Sequence, residues 1–423
     1  MNIYIIGGGA AGIMAAIYAK EKDNRVIVLE KNEKIGKKIY ITGKGRCNIT
    51  NIADYEDYFS NIVSNKNFLR GALKQFPPEK MIKLLNDNGL STKVERGGRV
   101  FPQSDKSNDV IKTFEKILKQ KGVEIRYNQS VMAFSVRNSR IQKIITQDNE
   151  YYPDKVILAT GGKSYKATGS DGKGYELAKE WGHTIIPLKP SLVSILSDFC
   201  LDESGNRVAL KDMPSLQGLS LKNVQINVID ANDKVLFKEF GEALFTHNGL
   251  SGPVILTLSS KINRMDLRQL RLSIDLKPAL DNKTLDRRLI RDFEHNSNKI
   301  FQNCLKDLLP TKLIPFIIKL SQIPPETVVH SVTKEQRKAL GWLLKNLRFE
   351  ISDLDDINNA VVTAGGVCVK EIDPKTMKSK LIENLYFAGE IIDVDALTGG
   401  YNLQIAFATG CVAGSNAKKE EKK

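Results

Sequence analysis

The sequence predicts an α/β fold of the Rossmann type, interrupted by an inserted β domain and a small helical insert. Three observations predict it. The chain opens on a strand, a glycine turn and a helix; a second apolar strand ends in an acid 18 residues past the last of those glycines; and a further strand, glycine and acid, followed by its own glycine turn and helix, stands near the opposite end.

Taken in order, residues 2–6 form a short β-branched and aromatic run. Gly7-Gly8-Gly9-Ala10-Ala11-Gly12 follows, and an Ala/Ile/Met-rich stretch to about Lys22 reads as a helix. Gly7 permits the tight turn, Gly9 lets a pyrophosphate approach the backbone, and Gly12 lets the helix pack on the strands, with Ala11 inside the same turn. Phosphates then sit on the helix N-terminus. Residues 25–30 are the second strand, and its terminal Glu30, with Lys31 beside it, is placed for the ribose hydroxyls of an adenosine. Lys155 to Thr160 is a third strand, turning at Gly161-Gly162, so Thr160 and Gly161 join the candidate cofactor contacts. Asn384 to Glu390 repeats strand, Gly389 and acid, and Gly399-Gly400-Tyr401-Asn402-Leu403 opens a small-residue helix to about Asn416. The cofactor domain is therefore split, its last strand and helix supplied by the C-terminal segment.

Between these pieces the texture changes. Alternating runs such as Val224 to Ile229 and Leu270 to Leu276 indicate an antiparallel sheet or small barrel. Residues 283–343 show helical spacing, with Pro310, Pro315, Pro324 and Pro325 as breaks. The expected boundaries are 1–189 for the first part of the cofactor domain, 190–280 for the β domain, 281–343 for the helical insert, 344–358 for a return strand and 359–423 for the rest of the cofactor domain. Residues 418–423 read as a solvated Lys/Glu end.

With 423 residues, 41% hydrophobic and 26% charged, the chain is neither collagen, coiled coil nor disordered. Its longest apolar runs fall far short of the roughly 20 residues that span a bilayer. An export signal is not recognisable, so a cytoplasmic location is expected. Five scattered cysteines and four histidines at no ligand spacing make a structural metal or disulfide framework unexpected. The net charge of +14 is uneven: 32 basic against 20 acidic residues in 1–189, 22 against 17 in 190–345, and 9 against 12 in 346–423. A surplus of this kind in the first part favours a polyanion, RNA above all.

Four further segments are too dense in Gly, Asn and charge for packing alone: GKKIYITGKGRCNITN from Gly36, GGRVFPQSDKSNDV from Gly97, GEALFTHNGLSGP from Gly241, and Val362 to Gly414. With the glycine fingerprint, these resemble the BaiN/RdsA family, also called the HI0933-like flavoproteins, over nearly the whole chain. The resemblance implies an FAD-binding domain of the two-dinucleotide-binding-fold type with an inserted β-barrel domain and a helical insert. It also implies an oxidoreductase whose relatives act on aminoacetone, on bile acids, or on 23S ribosomal RNA to form dihydrouridine. One dinucleotide fingerprint is present, so FAD is the resident cofactor and NAD(P)H a transient electron donor. Glu390 is placed for ribityl hydroxyls, with Asp393 or Asp395 able to share the task, and the glycine turn at Gly400 for the negative edge of the reduced ring.

Within the first of these segments, Lys38, Gly45, Arg46, Cys47 and Asn48 are candidate cofactor contacts, Arg46 through its planar donor fork and Asn48 by reading an amide edge. Cys47 beside Arg46 is a candidate proton donor or acceptor if that charge lowers its pKa, and a packed residue otherwise. His247, in a rigid turn that the resemblance places facing the flavin, is a candidate general acid or a structural residue. Lys37, Lys44, Arg99 and Lys106 are candidate substrate or RNA contacts; Ser107-Asn108-Asp109 also reads as a helix cap. Three functions follow: reduction of a uridine in 23S ribosomal RNA, with Phe101, Phe245 or Tyr401 supporting a displaced base; reduction or oxidation of a small amine or enone; and a non-enzymatic, flavin-bound RNA-binding factor.

Overall fold

A computed structural model of the chain describes residues 1–419; the solvated end read at 418–423 lies outside the described residues from 420 on. The chain divides into two compact units, Met1–Ser191 with the segment from Ile357 onward, and Leu192–Asp356.

The first unit is built on a five-stranded sheet in the order Leu385–Phe387, Lys155–Leu158, Asn2–Ile6, Arg25–Leu29, Glu124–Arg126, every neighbouring pair parallel. Parallel strands are covered on both faces, which is why the runs here are continuously apolar and Ile3, Ile5, Ile27, Ile157 and Phe387 are fully buried. The helix Ala10–Ala19 is buried nearly all round, and the closing helix Tyr401–Ala417 lies against it. Their backbones approach through glycine: a Cβ on Gly410 would stand 2.3 Å from the Ala11 carbonyl oxygen, and one on Gly414 2.3 Å from that of Ala15. Four residues apart, these glycines share one helix face.

The first helix stops at Ala19 rather than near Lys22. Asn24 Nδ2 donates to the Ala19 carbonyl at 2.7 Å, and Lys20 turns to extended backbone, so the last turn is satisfied from the loop. The cap read at Ser107-Asn108-Asp109 is also corrected. The helix Ser107–Lys121 starts after Lys106 with no side-chain cap, because the Ser107 hydroxyl donates to the Tyr40 carbonyl at 2.7 Å.

The second unit holds a nine-stranded antiparallel sheet whose long hairpin is Ser220–Ile229 with Val235–Phe245. The helices Asn282–His295, Ile314–Ser321 and Lys334–Lys345 follow, the last begun by a capping box of Thr333 and Gln336. Pro315, read as a break, occupies the first turn of its helix, where its missing N–H costs nothing. Among the described residues no helix is long and apolar enough to cross a membrane.

Candidate functional site

The three fingerprint glycines of the opening turn, Gly7, Gly9 and Gly12, differ in what surrounds them. Gly7 has φ +102°, and a Cβ there would lie 2.6 Å from the Ala159 carbonyl oxygen, so both the turn and the third strand require glycine. On Gly12 a Cβ would lie 1.9 Å from the Gly7 carbonyl oxygen. Gly9 has extended backbone, caps the helix Ala10–Ala19 without any side-chain bond, and a Cβ there would meet nothing within 4 Å. The turn is therefore closed at its two ends and open in the middle, on a helix N-terminus.

Glu30 is buried, its carboxylate accepting from the Gly8 N–H at 2.6 Å and from Asn32 N and Nδ2 at 2.8 and 2.6 Å. A carboxylate has about four acceptor positions, so it keeps capacity for a hydroxyl. Lys31 pairs with Asp171 at 2.7 Å. Lys38 pairs with Glu390 at 2.8 Å, and Glu390 also accepts from Ser164 Oγ at 3.3 Å and from the Thr363 N–H at 2.8 Å. The strand-end acid is thus neutralised by a lysine from the other end of the chain. Ser164 carries no sequence pattern that singles it out, and Thr363 lies in the Val362 to Gly414 segment without being distinguished there.

Gly389 stands close to the opening turn, a Cβ there falling 2.6 Å from Ala11 Cβ, and its N–H donates to Thr409 Oγ1 at 2.9 Å. Thr160 and Gly161 end the third strand, and Thr160 Oγ1 is buried with no hydrogen-bond partner among the described residues. Gly400, at φ +100°, caps the closing helix, where a Cβ would strike the Thr50 carbonyl oxygen at 2.4 Å. Tyr401 packs edge-on to Tyr58 with centroids 4.8 Å apart, and Leu403 packs against the core. Asn402 is spent locally, bridging the Ala396 N–H and carbonyl at 3.0 and 2.7 Å. Asp393 and Asp395 accept from Asn65 at 2.9 Å and from Ser64 and Ser191 at 2.5 and 3.0 Å, which makes them fasteners of their loop.

The Gly43–Asn48 loop borders a pocket of about 460 Å³, lined by Lys44, Arg46, Asn48, Asn51, Arg99 and Phe101 among others. Arg46 corrects the sequence reading. Its fork is closed by two carboxylates: Nε and Nη2 donate to Asp105 at 2.9 and 2.6 Å, and Nη1 and Nη2 to Glu95. Its guanidinium lies 4.2 Å from the Phe101 ring centre. Hydrogen bonds from Arg46 hold the Glu95 carboxyl below its ordinary range, and those from Lys93 and then Arg46 do so for Asp105. Arg46 therefore backs the Phe101 ring instead of offering a free fork. Asn51 Nδ2 donates to the Gly97 and Gly399 carbonyls, tying the loop to the closing glycine turn. Asn51, Glu95 and Asp105 lie in or beside the Gly- and Asn-dense segments, but only folding pairs them.

Of the two readings of Cys47, the structure bears out the packed one. Cys47 is fully buried, and burial pushes its thiol up to about 12, outweighing the hydrogen bond with Thr42; the lowered pKa expected from Arg46 is absent because that charge is turned to Glu95 and Asp105. A thiol-specific disulfide reagent should label at most one thiol of the native protein rapidly, since Cys368 alone among the five is not buried. Mass mapping that finds Cys47 labelled first would overturn this.

The basic candidates separate. Lys44 and Arg99 line the pocket and are exposed. Lys37 pairs with Glu33 at 3.2 Å, and Lys106 is exposed at a helix start. His247 belongs to the second unit, exposed in the tight turn between Val235–Phe245 and Gly249–Ser251, and Phe245 is buried against Phe349 at 5.6 Å. Phe245 is thus core, not a base support.

FAD fits the residues present: an open Gly9 at a helix N-terminus, an acid at the end of the second strand, and a buried Thr160 Oγ1 without a partner among the described residues. When bound and reduced, FAD supplies the hydride.

Comparison with known proteins agrees. The profile described as HI0933-like protein Rossmann domain matches residues 1–416. The 3-dehydro-bile acid delta(4,6)-reductase of Clostridium scindens is 34% identical over 98% of each chain. The ribosomal RNA dihydrouridine synthase of Escherichia coli is 29% identical over 96% of this chain and 95% of its own. Among solved structures, the 3-ketosteroid-delta4-(5alpha)-dehydrogenase of Rhodococcus jostii RHA1 shares the fold at 13% identity, with TM-score 0.52 over 99% of this chain and 96% of that one.

Proposed function

The chain belongs to the HI0933-like family of FAD-dependent oxidoreductases, and from that premise we propose that it reduces a carbon–carbon double bond conjugated to a carbonyl, with a uridine of 23S ribosomal RNA as substrate. The observation that carries the RNA reading is the pocket beside the Gly43–Asn48 loop: an Asn48 carboxamide oxygen without a partner among the described residues, the rings of Phe101 and Tyr401, and Lys44 and Arg99 exposed on it. Polar groups that can pair with a base edge, next to cations that take backbone phosphates, suit a displaced nucleotide better than a steroid skeleton. The basic surplus of residues 1–189 supports the same partner.

In this reading the residues Gly7, Gly9, Ala11, Gly12 and Glu30 hold the adenosine and pyrophosphate half of FAD, and the Gly400 turn holds the ring. NAD(P)H is the proposed reductant. With Cys47 buried, His247, whose imidazole is exposed in its turn, is the proposed proton donor.

Mapping dihydrouridine in 23S ribosomal RNA from a deletion strain tests the proposal. Its loss at one position, restored by the wild-type gene and not by Gly9→Val, is the expected result. Unchanged dihydrouridine with turnover of a 3-oxo-4,6-diene steroid would favour the second reading, for which the 34% identity to the bile acid reductase speaks. Rescue by the flavin-free variant would make the chain a non-enzymatic RNA-binding factor. In vitro, affinity for the transcript should fall steeply between about 50 and 200 mM salt, on the order of tenfold for every two phosphates that the protein neutralises; a flat response would count against RNA.

A further inference from the structure

Within the pocket, the asparagines are not equivalent. Asn51 Nδ2 donates to the Gly97 and Gly399 carbonyls, and its Oδ1 accepts from the Ala53 N–H. Asn61 gives its amide to the Asp57 carbonyl at 2.7 Å. Asn48 differs: its Oδ1 is buried and has no hydrogen-bond partner among the described residues. A buried acceptor without a donor is costly, on the order of 1–3 kcal/mol, unless a ligand supplies the donor.

The chemistry of that donor discriminates. A ketone conjugated to a double bond offers oxygen only, and would face Asn48 Oδ1 acceptor to acceptor. An imide, –CO–NH–CO–, offers an N–H flanked by two carbonyls and pairs with a carboxamide at two points. Among the cations that line the pocket, Lys44 and Arg99 are exposed, and Arg46 is taken up by Glu95 and Asp105. Its guanidinium instead stiffens Phe101, whose ring lines the same pocket. The volume of about 460 Å³ lies in the range of small-molecule sites.

We propose that Asn48 is the specificity-determining reader of an imide N–H, the pocket receiving the uracil ring of a displaced nucleotide. The uracil assignment rests on the RNA reading above; the imide of the isoalloxazine ring is the other source of the same chemistry, and the test separates them.

The probe is a uridine trinucleotide and its N3-methylated analogue, titrated into the FAD-loaded protein without reductant. The wild type should bind the unmethylated probe about tenfold more tightly, one lost hydrogen bond to a buried acceptor. Asn48→Ala should bind both alike with FAD affinity unchanged, and Asn48→Asp, which keeps an acceptor oxygen, should retain the preference. If instead Asn48→Ala weakens FAD about tenfold and neither protein distinguishes the probes, the imide read is the cofactor's and the uracil assignment is overturned. A preference that survives Asn48→Ala, or no preference together with unchanged FAD affinity, overturns it. Because binding is read without turnover, a protein that selects uracil yet leaves ribosomal RNA unreduced fails only the functional proposal, and one that restores dihydrouridine without using Asn48 fails only this one.

Discussion

Gly9→Val should yield folded, colourless protein. A Cβ on Gly9 meets nothing within 4 Å and the backbone there is extended, so valine enters without strain and the apoprotein's stability should stay within about 0.5 kcal/mol of the wild-type apoprotein. The same open space is where a pyrophosphate must touch the backbone, and two methyl groups there block that approach. FAD affinity should fall by at least about a hundredfold, equivalent to about 2.7 kcal/mol. Absorbance of the purified variant and fluorescence titration with added FAD measure this. The wild-type protein should also gain thermal stability when FAD is added and the variant should not, since only a ligand that binds the folded state shifts the equilibrium. A yellow, stoichiometric Gly9→Val protein would dissolve the assignment of the opening turn. Gly12→Val separates the two effects, because its Cβ would fall 1.9 Å from the Gly7 carbonyl oxygen and the fold itself should fail.

Gly410→Ala should destabilise the first unit although alanine is the better helix former. In a helix interior the replacement gains about 1 kcal/mol of propensity. Against this, the new Cβ stands 2.3 Å from the Ala11 carbonyl oxygen and 3.1 Å from Met14 Cβ, and a backbone atom inside a packed interface cannot swing aside as a side-chain tip can. The helices must separate, which opens the core on both sides, so packing wins and the net loss should be at least about 2 kcal/mol, with Gly410→Val worse. Gly414→Ala, one turn on and 2.3 Å from the Ala15 carbonyl oxygen, should behave alike. Denaturant midpoints decide the sign: an alanine variant as stable as the wild type would mean that the helices do not lie in backbone contact. Because Ala11 sits in the cofactor turn, a destabilised Gly410 variant should also release FAD more readily, a coupling that surface substitutions of equal cost would not show.

The parts legible in the sequence were those governed by local rules. Gly7, Gly9 and Gly12 carry a spacing whose geometry follows from backbone sterics, and continuously apolar runs such as Ile3 to Ile6 and Val156 to Leu158 announce strands covered on both faces. The glycine turn at Gly400 was legible for the same reason. What stayed hidden depends on partners far along the chain. Arg46 looked like a free fork because Glu95 and Asp105, which close it, are 49 and 59 residues away. Cys47 stayed open between activated and packed because the sequence gives its neighbour's charge without that charge's direction, and the burial that raises the thiol comes only with folding. Asn48 and Asn51 are three residues apart in one segment, yet one is an unpaired acceptor and the other a spent fastener. Helix ends were misjudged where a side chain from the loop, such as Asn24 on Ala19, finished the last turn.

The contact of the first helix with the last has a bearing on biosynthesis. Ala11 leaves the ribosome about 400 residues before Gly410, a wait of roughly 20 to 80 s at ordinary elongation rates. Throughout that time the apolar flank of Ala10–Ala19 that the closing helix will cover has no cover of its own. Folding of the opening turn should therefore wait for synthesis of the closing helix Tyr401–Ala417, which covers that flank.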